Sequence, residues 1–309
     1  MMCESSLEEH TYQYTIETHA DRPLKDILTG QYSYSSRLLR QIKREGRITI
    51  NGRDCWLTEP VKKGDKVEVV FPEEPFDIIP VEGDIDIIYE DDEILVVNKQ
   101  ADCVTHPTHS HQEDTLANFV AWYWQKKGTP HKVRFVNRLD RDTTGLVVMA
   151  KNKYVHHYIQ SRMKSDAVEK TYLAFVNGVP SPAVGCINAP IDRPSEDSIE
   201  RKVMASGKPS VTHYETLETY QDAALLKLRL ETGRTHQIRV HLSHMGWPII
   251  GDSLYNKSGM PDYGMAHQAL HAWQLQLVLP KRGKLTLTAP LTKDLQLLRN
   301  KIQRKKEER

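Results

Sequence analysis

Asp140 lies between two arginines in the run Phe135-Val136-Asn137-Arg138-Leu139-Asp140-Arg141-Asp142-Thr143-Thr144-Gly145, directly ahead of the apolar segment Leu146 to Ala150. Flanking guanidiniums favour an ionised carboxylate. A carboxylate held ionised on a polar loop in front of a rigid strand is suited to nucleophilic work. The same Asp-Arg-Asp-Thr-Thr-Gly string also makes a good Asx-type turn, and spacing alone leaves both uses open.

Other chemistry-bearing residues are fewer. His236, His241 and His244 recur at steps of five and three on one helical segment, but no acidic or thiol partner stands near them, so a metal site is not expected. Arg234 and His236 follow Thr232-Gly233 at the head of that segment, where they could receive a phosphate oxygen or cap the helix. Cys3, Cys55, Cys103 and Cys186 are far apart with no CxxC spacing, which supports neither zinc nor a disulfide framework.

These residues need elements to hold them. Residues 22–28 and 35–45 carry apolar side chains at helical spacing, the second with Ser35 or Ser36 as N-cap. On that second helix Arg37, Arg40, Lys43 and Arg44 occupy one face and Leu38, Leu39 and Ile42 another. The cationic stripe is either a solvated surface or a phosphate-binding one. A strand running into the Asn51-Gly52 turn and a second strand after Lys62-Lys63-Gly64-Asp65 complete a unit ending near Phe71.

Prolines and acids over Pro72 to Gly83 read as an interdomain linker. Beyond it, short strands dominate, such as Ile87 to Tyr89, Ile94 to Asn98, Gly145 to Ala150, Thr171 to Val176 and Ala224 to Leu230. Helical patterns cover Leu116 to Trp124, Lys153 to Met163 and Thr235 to His244. The fold class expected is α+β, with a large, mixed but mainly antiparallel sheet flanked by helices. Domain bounds follow as 13–72, a linker at 73–84, a second domain at 85–290 and a charged tail at 291–309.

With 309 residues the chain is long enough for two domains. Forty-two basic and 41 acidic residues leave a net charge of +1, so any nucleic-acid contact must come from local clustering. No apolar run approaches the ~20 residues of a membrane helix. The acidic, polar stretch Met1 to His10 lacks the pattern of a secretory signal. A cytoplasmic monomer without membrane contact is expected.

Two resemblances add to this reading. Residues 13–72, with the basic helix and the two turns, resemble the small α-L RNA-binding domain of a ribosomal small-subunit protein and several RNA-modifying enzymes, although Pro23 interrupts the usual opening. The loop Asn137 to Leu146 resembles the signature loop of the RluA-type pseudouridine synthases. Further blocks match in the same order: Tyr89 to Lys99, Glu169 to Gly178, Leu230 to Leu242, Gly251 to Tyr255 and Gln268 to Ala272.

The resemblance implies Asp140 as nucleophile, Arg138 as the residue that displaces the target base, and Tyr172 as the aromatic partner of the uracil ring. It further implies that Arg239 pairs with Asp140, that Leu270 packs beneath the ring, and that Lys170, on the strand of Tyr172, contacts substrate. Without it, Tyr172 reads as an ordinary half-buried sheet tyrosine. The chain departs from the family at Asn137, where histidine is usual, at Thr144, where serine is common, and at Lys99-Gln100-Ala101-Asp102-Cys103, which has lost a proline and a glycine.

The implied function is isomerisation of a uridine in structured RNA after the base is flipped, with neither metal nor organic cofactor, and ribosomal RNA favoured over transfer RNA as partner. The rivals are a non-catalytic RNA-binding or ribosome-assembly protein, which the retained Asp140 disfavours, and a carboxylate-based glycoside or nucleoside hydrolase, for which Asp142 is the only near proton donor and is explained by turn capping.

Overall fold

The computed structural model describes residues 10–17, 21–72, 74, 78–163, 167–256 and 259–307, with side chains to 304. Cys3, and the expectations for 1–9 and parts of 73–84 and 291–309, lie outside them.

The N-terminal unit runs β1 (Thr11–Thr15), β2 (Arg22–Pro23), α1 (Leu24–Gly30), α2 (Ser36–Glu45), β3 (Arg47–Ile50), β4 (Arg53–Asp54), β5 (Pro60–Val61) and β6 (Lys66–Val70). Ser35 starts α2 by accepting the N–H of Leu38 at 3.2 Å, and Gly46 ends it. Leu38, Leu39 and Ile42 are buried against an antiparallel sheet ordered β1-β6-β3-β4. Asn51 and Gly52, both at positive φ, form the tight turn between β3 and β4.

The second unit continues with β7 (Ile87–Glu90), β8 (Ile94–Lys99), α3 (Leu116–Lys127), β9 (Arg134–Phe135), β10 (Thr144–Ala150), α4 (Lys153–Arg162), β11 (Glu169–Asn177), β12 (Val184–Asn188), β13 (Ile191–Asp192) and β14 (Lys202–Val203). It ends with β15 (Val211–Thr219), β16 (Ala223–Leu230), α5 (Gln237–His244), β17 (Leu270–Leu279), β18 (Gly283–Thr288) and α6 (Lys293–Glu307). The architecture is α+β. Its ten-stranded sheet has the order β12-β15-β16-β11-β17-β10-β8-β7, with β18 beside β17 and β9 beside β10.

Among the described residues one pairing of this sheet is parallel, Thr144↔His271 and Gly145↔Ala272 between β10 and β17. It brings the loop ahead of β10 against the start of β17. Gly145 is required there: its φ is +108°, and a Cβ would collide with the backbone of Ala272. One strand away, β17 carries a bulge where it pairs β11, so Tyr172 faces Ala272 while Thr171 faces Gln274. The extra residue reverses the alternation of β17. Before the bulge Leu270 and Ala272 enter the core on the α3 and α5 side of the sheet; after it Leu275, Leu277 and Leu279 enter the core on the other side.

That second core is continuous with the core of the N-terminal unit. Tyr34 stacks on Tyr154 of α4 at 4.1 Å between ring centroids, and Tyr154 donates to the carbonyl of Tyr32 at 2.7 Å. The first core includes Leu295, Leu298 and Ile302. Where a charged tail is expected, α6 therefore forms an amphipathic helix, its apolar residues three and four apart on the packed face. The abundance of Lys and Arg on its other face hid that stripe. Residues 78–85 also pack, Ile78 and Ile85 against the first core, and Asn118 donates to the carbonyl of Ile79 at 2.8 Å.

Candidate active site

The loop of Asp140 is fixed before any charge is considered. Asn137 bridges β10 with its side chain, donating to the carbonyl of Leu146 and accepting the N–H of Val148, each at 2.9 Å. Thr105 donates to the carbonyl of Leu139 at 3.0 Å. The N–H of Thr143 donates to the carbonyl of Asp140 at 3.1 Å, closing a turn, and Gln268 donates to the hydroxyl of Thr143 at 3.1 Å. Lys99, 2% exposed, gives its ammonium to the carbonyls of Gln100, Cys103 and Arg141 at 2.8, 3.0 and 2.7 Å. Burial pushes that ammonium down to about 8.

The altered turn after Lys99 is accommodated in the same place. Asp102 holds the left-handed backbone that glycine would take, φ 57°, and pairs with Arg141. Its N–H donates to Asp142 at 3.3 Å. Asp142 thus caps this turn.

A cavity of about 340 Å³ opens beside the loop. Arg138, Asp140, Lys170, Tyr172, Arg239 and Leu270 all line it. Asp140 is partly exposed, and its Oδ2 accepts from Arg239 Nη1 at 3.2 Å. Arg239 is in turn gripped by Asp252, which accepts from Nε at 2.7 Å and from Nη2 at 2.9 Å. Asp252 is 1% exposed, and its Oδ1 also accepts the N–H groups of Leu254 and Tyr255. This buried, bidentate pair aims the free end of the guanidinium at Asp140.

Burial and the nearby Asp140 carboxylate push the Tyr172 phenol up to about 12, so it stays protonated at neutral pH. Lys170 is lowered by burial and makes no hydrogen bond or ion pair among the described residues. Arg138 is exposed at the rim. His236 approaches Asp140 from the head of α5, Nε2 to Oδ2 3.7 Å. Asp252, Tyr255 and Gln268 carry no assigned task in the sequence reading, although each sits in a matched block.

The histidines of α5 do not converge. His241 is satisfied by Thr212 and Ala189 at 2.9 Å on each ring nitrogen, and among the described residues no group of three His, Cys, Asp or Glu forms a metal cluster.

Arg37, Arg40, Lys43 and Arg44 stand apart from the cleft, on the outer face of α2. Arg37, Arg40 and Arg44 are exposed, while Lys43 donates to the carbonyl of Cys55 at 2.7 Å and lies 5.8 Å from the ring centre of Trp56. Trp56 is 74% exposed.

Comparison with known proteins gives one consistent answer. The family model for RNA pseudouridylate synthase matches residues 93–244. The chain is 40% identical to the uncharacterized RNA pseudouridine synthase YhcT of Bacillus subtilis (strain 168), over 89% of this chain and 91% of that protein. It is 35% identical to ribosomal large subunit pseudouridine synthase D of Pseudomonas aeruginosa, over 84% of each. Among solved structures, human RNA pseudouridylate synthase domain containing 4 superposes with a TM-score of 0.59 at 25% identity, covering 71% of this chain and 93% of that one.

Proposed function

The chain belongs to the RNA pseudouridylate synthase family, and we propose that it isomerises a uridine of ribosomal RNA with Asp140 as the nucleophile and with no cofactor. Its activity is that of an RNA pseudouridine synthase, an isomerase. The observation that carries the assignment of Asp140 is its pairing with Arg239 at 3.2 Å inside the cavity shared with Tyr172 and Leu270. Ribosomal RNA is favoured by the relatives named for the large ribosomal subunit.

The reaction breaks the bond from uracil N1 to C1′ of the ribose, turns the base, and joins C5 to C1′. C5 loses a proton and N1 gains one, so atoms balance without a co-reactant. Asp140 either attacks C1′ or takes a proton from C2′. Both routes require the ionised carboxylate, whose Oδ2 the Arg239 guanidinium holds at 3.2 Å. Arg138 at the rim displaces the base from its stack, and Tyr172 and Leu270 hold the flipped ring. Lys170, a cation without a partner in the cleft, contacts the substrate.

The basic face of α2 is proposed as the RNA track of an α-L-type domain, with Arg37, Arg40, Lys43 and Arg44 on phosphates and the exposed Trp56 beside them as a surface for an unpaired base.

Carbodiimide mapping of ribosomal RNA from a strain lacking the gene, before and after incubation with the protein, tests the reading. The wild type restores a missing pseudouridine; Asp140→Asn restores none while binding the RNA within about threefold of wild type. Full activity of Asp140→Asn overturns the assignment.

A further inference from the structure

His236 holds a left-handed backbone, φ 58°, an uncommon conformation for a residue with a side chain and one that concentrates at functional sites. It projects from the head of α5 toward Asp140, with 13% of the side chain exposed. Its Nε2 stands 3.7 Å from Asp140 Oδ2, the oxygen that Arg239 Nη1 also reaches. Asp140 Oδ1 has no hydrogen-bond partner among the described residues.

The tautomer of this imidazole follows from what lies behind it. The Tyr255 oxygen accepts the backbone N–H of Arg201 at 2.8 Å and lies 2.9 Å from His236 Nδ1. The hydroxyl proton then has Nδ1 as its acceptor, because the opposite assignment leaves a half-buried O–H with no partner among the described residues. With Nδ1 accepting, a neutral ring carries its proton on Nε2, toward Asp140. The charged groups facing the ring are Asp140 and Asp252 on one side of the balance and Arg239 and Arg201 on the other; burial, the largest influence, favours the neutral form.

We propose that His236 is a positioning residue: a neutral imidazole, locked by Tyr255 with its proton on Nε2, whose N–H faces Asp140 Oδ2 across 3.7 Å. That gap must shorten for a hydrogen bond when substrate enters, so that His236 then joins Arg239 in holding Oδ2 and leaves Oδ1 as the reacting oxygen. This rests on Asp140 being the nucleophile. The neutral state matters. Attack removes charge from the carboxylate, so a second full cation beside it would hold the ground state down, whereas a neutral N–H orients the group at smaller cost.

Nitrogen NMR of the [15N]histidine-labelled, RNA-free protein at pH 7 reads the tautomer directly, with His236→Gln used to assign the signal. The expected result is a neutral ring protonated at Nε2, and loss of that single tautomer in Tyr255→Phe. On ribosomal RNA from the gene-deletion strain, His236→Ala and Tyr255→Phe are expected to lower kcat roughly ten- to hundredfold with little change in KM. His236→Gln, whose amide N–H can reach the same oxygen, recovers part of the loss. Tyr255→Phe keeps the ring against Arg239 and carries the test should His236→Ala fail to fold.

An imidazolium or a ring protonated at Nδ1 overturns the proposal. So does unchanged kcat in both variants, or an equal loss in the alanine and glutamine variants with KM rising in step. Because the tautomer is read without RNA, a wild-type protein inactive on that RNA would count against the assigned reaction and not against the state of His236.

Discussion

Replacing Asp252 with asparagine removes the buried counter-charge of the Arg239 guanidinium and leaves it only the part-exposed Asp140, in a site where the Arg239 and Asp252 side chains are 8% and 0% exposed. Breaking a buried pair in this way costs about 3–5 kcal/mol. Asp252→Asn is therefore expected to lower the urea midpoint and to reduce turnover, because Arg239 loses its aim. Asp140→Asn, at a carboxylate 32% exposed, is expected to leave the urea midpoint nearly unchanged while abolishing turnover. Equal urea curves for the two variants would contradict the proposed division between a structural and a reacting carboxylate. The division was not legible in the sequence. Asp140 and Arg239 stand in runs with recognisable neighbours, but Asp252 acquires its task only when α5 places Arg239 beside it. Tyr255 likewise depends on Arg201, 54 positions away.

At the scale of elements, α2 was readable in full, because its cap, its apolar stripe and its cations are all local. The bulge of β17 was not, since it exists only relative to β11, and α6 was obscured by its charged face. Two outcomes belong here. Gly145→Ala forces a Cβ into the backbone of Ala272 at a φ of +108°, so the parallel pairing must open; a loss of more than about 2 kcal/mol in urea unfolding is expected, with turnover lost alongside. Changing Arg37, Arg40, Lys43 and Arg44 together to alanine should weaken RNA binding and flatten the slope of log affinity against log salt by about 3. An unaltered slope removes α2 from the RNA track.

Over the whole molecule, the two units share a core, and that contact contains a titrating group. Tyr12 donates to Glu93 at 3.1 Å and accepts from Asn152 at 3.2 Å, while the N–H of Lys281 donates to the other Glu93 oxygen at 3.1 Å. Burial, aided by Asp91 and Asp92, pushes the Glu93 carboxyl from 4.5 up to about 7. The native state then holds a proton that the unfolded chain releases, so the stabilisation is complete below pH 4.5 and is lost as pH rises through about 7. The swing is about 3 kcal/mol. Urea unfolding at pH 5 and pH 8 should reveal it in the wild type and a much smaller one in Glu93→Gln. The parallel seam beside the Asp140 loop has a consequence in time. Thr144 and His271, which meet there, are 127 positions apart, and ribosomes add roughly 5–20 residues per second. For several seconds after Asp140 has been made, the wall of the cavity it lines has yet to be synthesised, so a nascent chain carries the proposed nucleophile well before its site exists.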